Sequence, residues 1–321
     1  MRYQFFTGKL FFNLFLISLL TLFLSCASRG AVQAEEYFSI GMAYYDLGKY
    51  TEAEQWLNRA RLADKTMTAS EYNLGRIAFE TGRYDEAARH FENILSKDPD
   101  NVMALKSAAY SRIKNGDLGK AEALYDRVLA LVPESADEGF NYALVLYGLQ
   151  KYEKCEEVLN RYPFALEENA SSMLLMARTQ KAQGKVEAAD SFAKWLVTGT
   201  PGAQGLYEYA QVLENAGLYA RALEQYRDII KILAQDTPQL KKSEIRFNIA
   251  RLLFIADPEN AEGLSELNSS ISEGFSDKDA IESLLADERI SLSNREEIKT
   301  ILNTLHESEQ QGQAGSDGTQ K

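Results

Sequence analysis

Residues 68–101 read TASEYNLGRIAFETGRYDEAARHFENILSKDPDN, and this 34-residue stretch decides the fold. In each half, apolar side chains return every three to four residues, which is the spacing of an amphipathic helix. Gly82 separates the two halves and Pro99 follows the second. Glycine closes a helix in the left-handed conformation without a steric penalty, and proline cannot continue a helix. The stretch therefore predicts two helices joined by a tight turn.

The same pattern returns along the chain at a period of 34 residues. The dividing glycines at this phase are Gly48, Gly82, Gly116 and, two periods later, Gly184. An alanine stands five residues after each glycine, and these alanines are Ala53, Ala87, Ala121 and Ala189. Closing prolines recur at the same phase, at Pro99, Pro133 and Pro201. A fixed period of this length is typical of a solenoid, in which each repeat packs only on its neighbours.

Two repeats depart from the pattern. The fourth has Gln150 in place of glycine and Cys155 in place of alanine, and Pro163 is predicted to cut its second helix short. The sixth is slipped by one residue, with Gly217 and Ala222 at the corresponding positions. We interpret Cys155 as a buried thiol that packs like a small apolar side chain.

Together these residues resemble the tetratricopeptide repeat (TPR), in which a small residue, an aromatic, an alanine and a closing proline recur with this period. The resemblance covers residues 34–236 as six repeats. It implies an all-α fold, a solenoid of helix-turn-helix repeats wound into a right-handed superhelix. No repeat buries its apolar faces alone, so stability comes from stacking.

The sequence after the repeats predicts a degenerate seventh repeat and a helical carboxy-terminal cap over residues 237–308. Two cap helices are expected near residues 278–286 and 294–306, with Asp277 and Ser293 as their N-caps. Residues 309–321 are rich in Gln, Gly and Ser, which predicts a disordered tail.

The amino terminus has the features of a bacterial signal sequence. Arg2 and Lys9 precede a mostly apolar stretch over residues 10–24, which is shorter than the roughly 20 residues of a membrane-spanning helix. The segment around Cys26, Phe-Leu-Ser-Cys-Ala-Ser, resembles the lipobox of bacterial lipoproteins. The resemblance implies a signal peptide over residues 1–25, lipidation of Cys26, and a short tether over residues 26–33. The alternatives are plain secretion, with cleavage near Ala34, and an uncleaved anchor.

Composition and charge restrict the possible functions. Apolar residues make up 45% of the chain and charged residues 26%, as in an ordered protein. The net charge of −12, with no basic cluster, argues against binding to nucleic acid or to anionic lipid headgroups. The two histidines, His90 and His306, are far apart and both are expected to be exposed. With no catalytic motif and no metal-ligand spacing, we predict neither an enzyme nor a cofactor site.

The TPR resemblance also places a ligand groove on the first helix of each repeat. Counting positions from residue 34, the groove is predicted to carry a row of aromatic side chains with a few basic and amide groups between them. The candidate partner-binding residues are Phe38, Tyr45, Tyr72, Arg76, Phe79, Lys106, Tyr110, Phe140, Asn141, Tyr147 and Tyr207. Aromatic residues and Arg are the commonest anchors in interfaces, so these positions favour a protein or peptide ligand. The alternative is that the rings pack against neighbouring helices and face the groove only in part.

We therefore expect an adaptor or scaffold held in the bacterial cell envelope by a lipid on Cys26 and facing the periplasm. The partner would be an envelope protein or a peptide segment of one. The absence of Asp after Cys26 slightly favours the outer membrane over the inner membrane. Two other functions stay open: an accessory protein that holds a small apolar ligand for a transporter in an enclosed aromatic pocket, and a self-associating structural lipoprotein. The partner, the pathway and the oligomeric state are not predicted.

Overall fold

The computed structural model describes residues 31–316, apart from the side chains of residue 164 and of residues 306–316. The predicted signal peptide and Cys26 lie outside the described residues, as do residues 317–321. Residues 31–33, which were assigned to the tether, are already helical in the structure. Of the predicted tether, residues 26–30 lie outside the described residues.

Between residues 31 and 316 the chain forms seventeen helices and no strand. The helices are α1 (residues 31–46), α2 (Tyr50–Ala63), α3 (Thr68–Glu80), α4 (Tyr84–Leu95), α5 (Val102–Lys114), α6 (Leu118–Leu131), α7 (Ala136–Gly148), α8 (Tyr152–Asn160), α9 (Pro163–Glu168), α10 (Ala170–Ala182), α11 (Ala188–Thr198), α12 (Ala203–Asn215), α13 (Tyr219–Ile232), α14 (Lys242–Ala256), α15 (Ala261–Ser272), α16 (Lys278–Ala286) and α17 (Leu292–Ser316).

In the amino-terminal unit, neighbouring helices pack as expected for stacked helical hairpins: α3 contacts α4, α4 contacts α5, and α5 contacts α6. The prediction of an all-α solenoid of hairpins is confirmed. The chain divides into two compact units, an amino-terminal unit that ends at Val158 and a carboxy-terminal unit that begins at Leu159.

The turn inside each repeat uses the left-handed backbone that the sequence predicts. φ is between 69° and 82° at the dividing glycines, which are Gly48, Gly82, Gly116, Gly184 and Gly217. Gln150 adopts the same conformation in the fourth repeat, with φ of 59°, although it has a Cβ. The turn geometry therefore persists where glycine is missing, because the flanking helices impose it.

Small residues stand where the two helices of a repeat cross. A Cβ added at Gly75 would lie 2.8 Å from the ring of Phe91, a side chain that is itself buried. Ala53, Ala87 and Ala121 are fully buried at their crossings. Close packing of this kind leaves no room for an extra methyl group without displacing a neighbour.

The fourth repeat is shortened as predicted. Helix α8 spans nine residues and ends at Asn160, and Pro163 occupies the first turn of α9. Cys155 is fully buried in α8, and its thiol donates a hydrogen bond of 3.3 Å to the carbonyl of Ala143. The interpretation of Cys155 as a packing residue agrees with this position.

The carboxy-terminal helices confirm one predicted N-cap and correct the other. The Asp277 side chain accepts a hydrogen bond of 3.0 Å from the Ala280 amide and begins α16. Helix α17 begins at Leu292, so Ser293 lies inside it, and Ser291 accepts the bond of 3.2 Å from the Asn294 amide. A serine two residues earlier takes the cap because Asn294 turns inward and donates to the Pro258 carbonyl.

Residues 309–316, which were expected to be disordered, continue α17 as far as Ser316. Helix hydrogen bonds join residues four apart, so a helix started by packed turns at Ile298 and Leu302 extends without further core.

The exposure predicted for His90 is wrong. Its side chain is 17% exposed, and Nδ1 lies 2.9 Å from Oε1 of Glu71. The ring lies between α3 and α4 and contributes to their packing. The side chain of His306 is outside the described residues.

Candidate partner-binding groove

The candidate groove of the amino-terminal unit is formed by the first helices of four repeats, α1, α3, α5 and α7. The ninth position of each repeat holds Met42, Arg76, Tyr110 and Leu144. The twelfth position holds Tyr45, Phe79, Ile113 and Tyr147. We call the surface formed by Tyr45, Arg76, Phe79, Tyr110 and Tyr147 the aromatic face.

Arg76 links the first two repeats on the aromatic face. Its Nη2 donates to the hydroxyl of Tyr45 over 2.9 Å, and its Cζ lies 4.6 Å from the centre of the Tyr45 ring. Nη1 donates to Oδ1 of Asn73 over 3.0 Å. A guanidinium held by hydrogen bonds and by a ring is preorganised for binding, since little side-chain entropy remains to be lost.

Tyr110 is the most accessible ring of the aromatic face, with 47% of its surface exposed. It stacks on Phe79 at a centroid distance of 5.1 Å, and Lys114 Nζ lies 5.4 Å from its centroid. Phe79 is in turn held edge-on by Tyr84 at 5.2 Å. Tyr110 thus presents a supported aromatic surface beside a cation.

The rings at the twelfth position also have a structural role. Each packs on the first residue of the second helix of its own repeat: Tyr45 on Tyr50 at 5.6 Å, Phe79 on Tyr84, and Tyr147 on Tyr152 at 5.5 Å. Pairs of this geometry stabilise the hairpin by about 0.5–1.5 kcal/mol beyond their burial. These rings therefore face the groove only in part.

Several predicted groove residues are taken up by internal contacts. Phe38 packs against the hydrophobic cluster of Ala53, Leu57, Leu74 and Ile77. The ring of Tyr72 lies 5.3 Å from that of Phe91, and its hydroxyl is 3.2 Å from Ser107 Oγ. Phe140 is half-buried in α7. Phe38 and Tyr72 therefore take part in helix packing.

Lys106 forms an ion pair with the buried carboxylate of Glu138, which is only 6% exposed in its side chain. Asn141 Nδ2 donates to the same carboxyl group over 3.5 Å. Burial raises the pKa of the neighbouring Tyr125 phenol above its ordinary range, and the negative charge of Glu138 raises it further. Lys106 thus neutralises a buried charge between α5 and α7, a role that its position on α5 did not reveal.

Leu144 was missed by the sequence analysis. It is 45% exposed and shares the ninth position with Arg76 and Tyr110. The period of 34 residues was a sufficient signal to find it, because the same count that selects Tyr110 selects Leu144.

Tyr207 lies in the carboxy-terminal unit, where it borders a cleft of about 410 Å³. The cleft is lined by Lys181, Tyr207, Gln211, Glu214, Asn215, Tyr226, Asn248 and Arg251. Glu214 accepts from the Tyr226 hydroxyl over 2.7 Å and pairs with Arg251, while Lys181 Nζ donates to Gln211 over 2.8 Å. Burial lowers the pKa of Lys181. Asn248 and Arg251 were not predicted as site residues, because the sequence after α14 lacks the glycine from which the positions of a repeat are counted.

Two further features bear on function. Among the side chains that the structure describes, no three of His, Cys, Asp or Glu are grouped so as to hold a metal ion. Over residues 31–316, no helix combines the length and the apolar character needed to cross a membrane.

Comparison with known proteins places the chain in a family. Models of the tetratricopeptide repeat match residues 34–64, 72–136 and 174–237. A model described as anaphase-promoting complex, cyclosome, subunit 3 matches residues 114–196. The protein belongs to the tetratricopeptide repeat family, whose fold serves as a scaffold for interactions between proteins.

Two individual relatives are informative. An uncharacterized lipoprotein of Treponema pallidum (strain Nichols) is 26% identical over 180 residues, which cover 56% of this chain and 92% of the relative. The uncharacterized protein ycf37 of Pyropia yezoensis is 42% identical over 73 residues, which cover 22% of this chain and 40% of the relative.

Solved structures share the fold. A tetratricopeptide repeat protein from Parabacteroides merdae ATCC 43184 superposes with a TM-score of 0.54 at 20% identity, covering 78% of this chain and 96% of that one. YrrB, described as a TPR protein with an unusual peptide-binding site, gives a TM-score of 0.50 at 16% identity, covering 61% of this chain and 98% of YrrB.

Proposed function

We propose that the protein is a lipid-anchored scaffold of the bacterial cell envelope, facing the periplasm, that binds a segment of a partner protein on its aromatic face. The observation that carries the binding role is the exposed ring of Tyr110, supported by Phe79 and set beside Lys114 and the preorganised Arg76. The lipid anchor is supported by the lipobox-like residues around Cys26 and by the likeness to a lipoprotein of Treponema pallidum.

The chemistry of the aromatic face favours a partner segment that carries both apolar and acidic side chains. Tyr110 and Leu144 offer apolar surface, and Arg76 and Lys114 offer positive charge in a protein whose net charge is −12. Complementary charge on the partner would raise the rate of association and fix its register, while the rings supply most of the affinity. The outer membrane is slightly favoured, since Ala27 and Ser28 follow the cysteine.

The test is recovery of the partner from cross-linked membranes with the full-length protein, followed by mass spectrometry and an affinity measurement with the partner recovered. Tyr110→Ala removes the exposed ring at little cost to the core. If Tyr110 is an anchor worth about 2 kcal/mol, the affinity should fall roughly 30-fold. Tyr219→Ala is the matched control, because Tyr219 is a partly exposed tyrosine, 37% accessible, on α13 of the other unit.

Equal recovery of the partner by Tyr110→Ala and by the unaltered protein would show that binding occurs elsewhere. Recovery of no protein at all, from membranes that contain the anchored protein, would contradict the scaffold role.

The two alternative functions have less support. A small apolar ligand would need an enclosed aromatic pocket, but the cleft beside Tyr207 is lined mainly by charged and amide side chains. A second pocket in the same unit, of about 490 Å³, has a mostly apolar surface, but none of its lining residues is aromatic. They are Glu167, Met173, Ala193, Lys194, Val197 and Thr198. Sedimentation of the purified protein tests the third role, since a self-associating structural protein would form a defined oligomer without a partner.

A further inference from the structure

One edge of the amino-terminal unit lies next to the proposed lipid anchor. Helices α1 and α2 run antiparallel: the ring of Tyr45 lies 5.6 Å from that of Tyr50, and the position of Gly41, one turn earlier on α1, faces Leu57 farther along α2. Extending this pairing by ten residues places residue 31 just beyond the end of α2, level with the connection to α3. The connections from α2 to α3 and from α4 to α5 lie on this same edge. The opposite edge carries the turns around Gly48, Gly82 and Gly116.

A cleft of about 320 Å³ opens between the end of α2, the start of α3 and the end of α4. Three of its lining residues are cations, Arg61, Lys65 and Lys97. Lys97 Nζ donates to the carbonyl of Lys65 over 2.7 Å, which joins the two connections. Arg61 Nε is buried and has no hydrogen-bond partner, so this guanidinium N–H can donate a hydrogen bond to a ligand.

The acidic groups nearby are already engaged. Oε1 of Glu71 accepts from Asn93 over 2.9 Å and lies 2.9 Å from Nδ1 of His90, while Oε2 is 3.5 Å from Arg61. Asp64 accepts from the amide and hydroxyl of Thr66 in its own loop. Glu71 and Asp64, whose charge acts on Lys97, offset two of the three cations, so the cleft keeps one net positive charge although the protein as a whole is acidic. At physiological salt such local charges outweigh distant ones, because screening acts beyond about 8 Å.

Apolar side chains accompany the cations. Leu62 is 70% exposed at the rim of the cleft, and Met67 and Ile94 contribute to its lining. A cationic cleft with an exposed leucine beside it matches the boundary of a phospholipid layer, where phosphates lie just outside the acyl chains.

We infer that this cleft binds the phosphate of a phospholipid headgroup and that the edge around Leu62 rests on the membrane. The inference depends on the proposed lipidation of Cys26. From Cys26 to residue 31 the chain takes five Cα–Cα steps, which span at most about 18 Å. The anchored edge therefore stays within reach of the headgroups. The net charge of the whole protein predicts that it avoids anionic lipid, but this expectation does not hold for the anchored edge.

The experiment uses the full-length lipidated protein in vesicles of phosphatidylethanolamine and phosphatidylglycerol that contain brominated lipids. An environment-sensitive fluorophore is attached after Leu62→Cys or after the matched control Leu47→Cys. Both leucines are 70% exposed, on opposite edges of the first repeat. Cys155 is fully buried and should not react. Bromine should quench the label at position 62 and leave the label at position 47 bright.

A second experiment tests whether the cations of the cleft are required. Lys65→Gln with Lys97→Gln should lower the equilibrium constant for contact between position 62 and the lipid by about 30-fold, given the attraction of two cations to anionic headgroups. Lys49→Gln with Lys120→Gln makes the same change in charge on the opposite edge and should have no effect. Quenching of the label at position 62 should also persist when inorganic phosphate is added. If added phosphate abolishes the quenching, the cleft binds a free anion and not a lipid headgroup.

The outcomes separate the two proposals. Failure of the protein to float with the vesicles would contradict the lipid anchor. An anchored protein whose two labels are quenched equally, or whose quenching ignores Lys65 and Lys97, would overturn the headgroup site and leave the anchor standing. Cross-linking of position 62 to a protein in native membranes, without lipid contact, would also overturn the headgroup site.

Discussion

Gln150 has a Cβ in a conformation that five other repeats reserve for glycine. In the left-handed region a Cβ crowds the following carbonyl, and the cost is about 1–2 kcal/mol for an ordinary residue. The packing of α7 and α8 must supply this energy, since the backbone alone would not adopt the turn. The backbone strain at Gln150 thus coincides with the position where the fourth repeat departs from the repeat pattern.

Gln150→Gly should therefore raise the free energy of unfolding by about 1 kcal/mol, because it removes the crowding at φ of 59°. Gln150→Ala keeps the Cβ and should give no such gain. Urea denaturation followed by circular dichroism measures both. An equal gain from alanine would mean that the glutamine side chain, and not the backbone, is unfavourable.

The helices of the second repeat are joined by a hydrogen-bonded carboxylate. Glu71 on α3 contacts Arg61 on α2 and His90 and Asn93 on α4, so one side chain connects three helices. Burial by itself would raise the pKa of Glu71, but the bonds from His90 and Asn93 outweigh it and lower the pKa from 4.5 to about 2. Helix packing here depends on the ionised carboxylate.

The pH dependence follows from the sign of this shift. Since the pKa of Glu71 is lower in the folded state, its stabilisation is present above about pH 4.5 and is lost as the pH falls toward 2. Glu71→Gln should destabilise the protein by up to about 3 kcal/mol at pH 7, and the difference should shrink between pH 5 and pH 2. Denaturant midpoints over this range test it, with Glu80→Gln, an exposed change on the same helix, as the control. A difference that does not depend on pH would contradict the role of the charge.

For the whole molecule, the proposed attachment to a membrane needs an anchor that suits an acidic protein. The described residues contain no helix suited to crossing one, and the candidate anchor is the single residue Cys26. Two or more acyl chains there would give stable attachment, at about 0.8 kcal/mol per buried CH2.

Cys26→Ser should abolish incorporation of labelled palmitate and move the protein from the membrane fraction to the soluble fraction or the medium. Cys155→Ser, which alters the other cysteine in the chain, should leave labelling and fractionation unchanged. Membrane association that persists without labelling would favour an uncleaved anchor.

Much of this architecture is present in the sequence, because a solenoid is stabilised by contacts within a repeat and between neighbours. The period of 34 residues, the turn glycines and the crossing alanines identified the helical hairpins of both compact units. Even the shortened α8 follows from Pro163.

Only the tertiary structure decided how the side chains are used. Lys106 looked like a groove cation, but Glu138, 32 residues later, neutralises it in the next repeat. His90 is enclosed by α3 and α4, and the edge cleft combines residues from three helices that no single repeat contains. Periodicity specifies which face of a helix a residue occupies, whereas exposure and charge there depend on the side chains that neighbouring repeats bring against it.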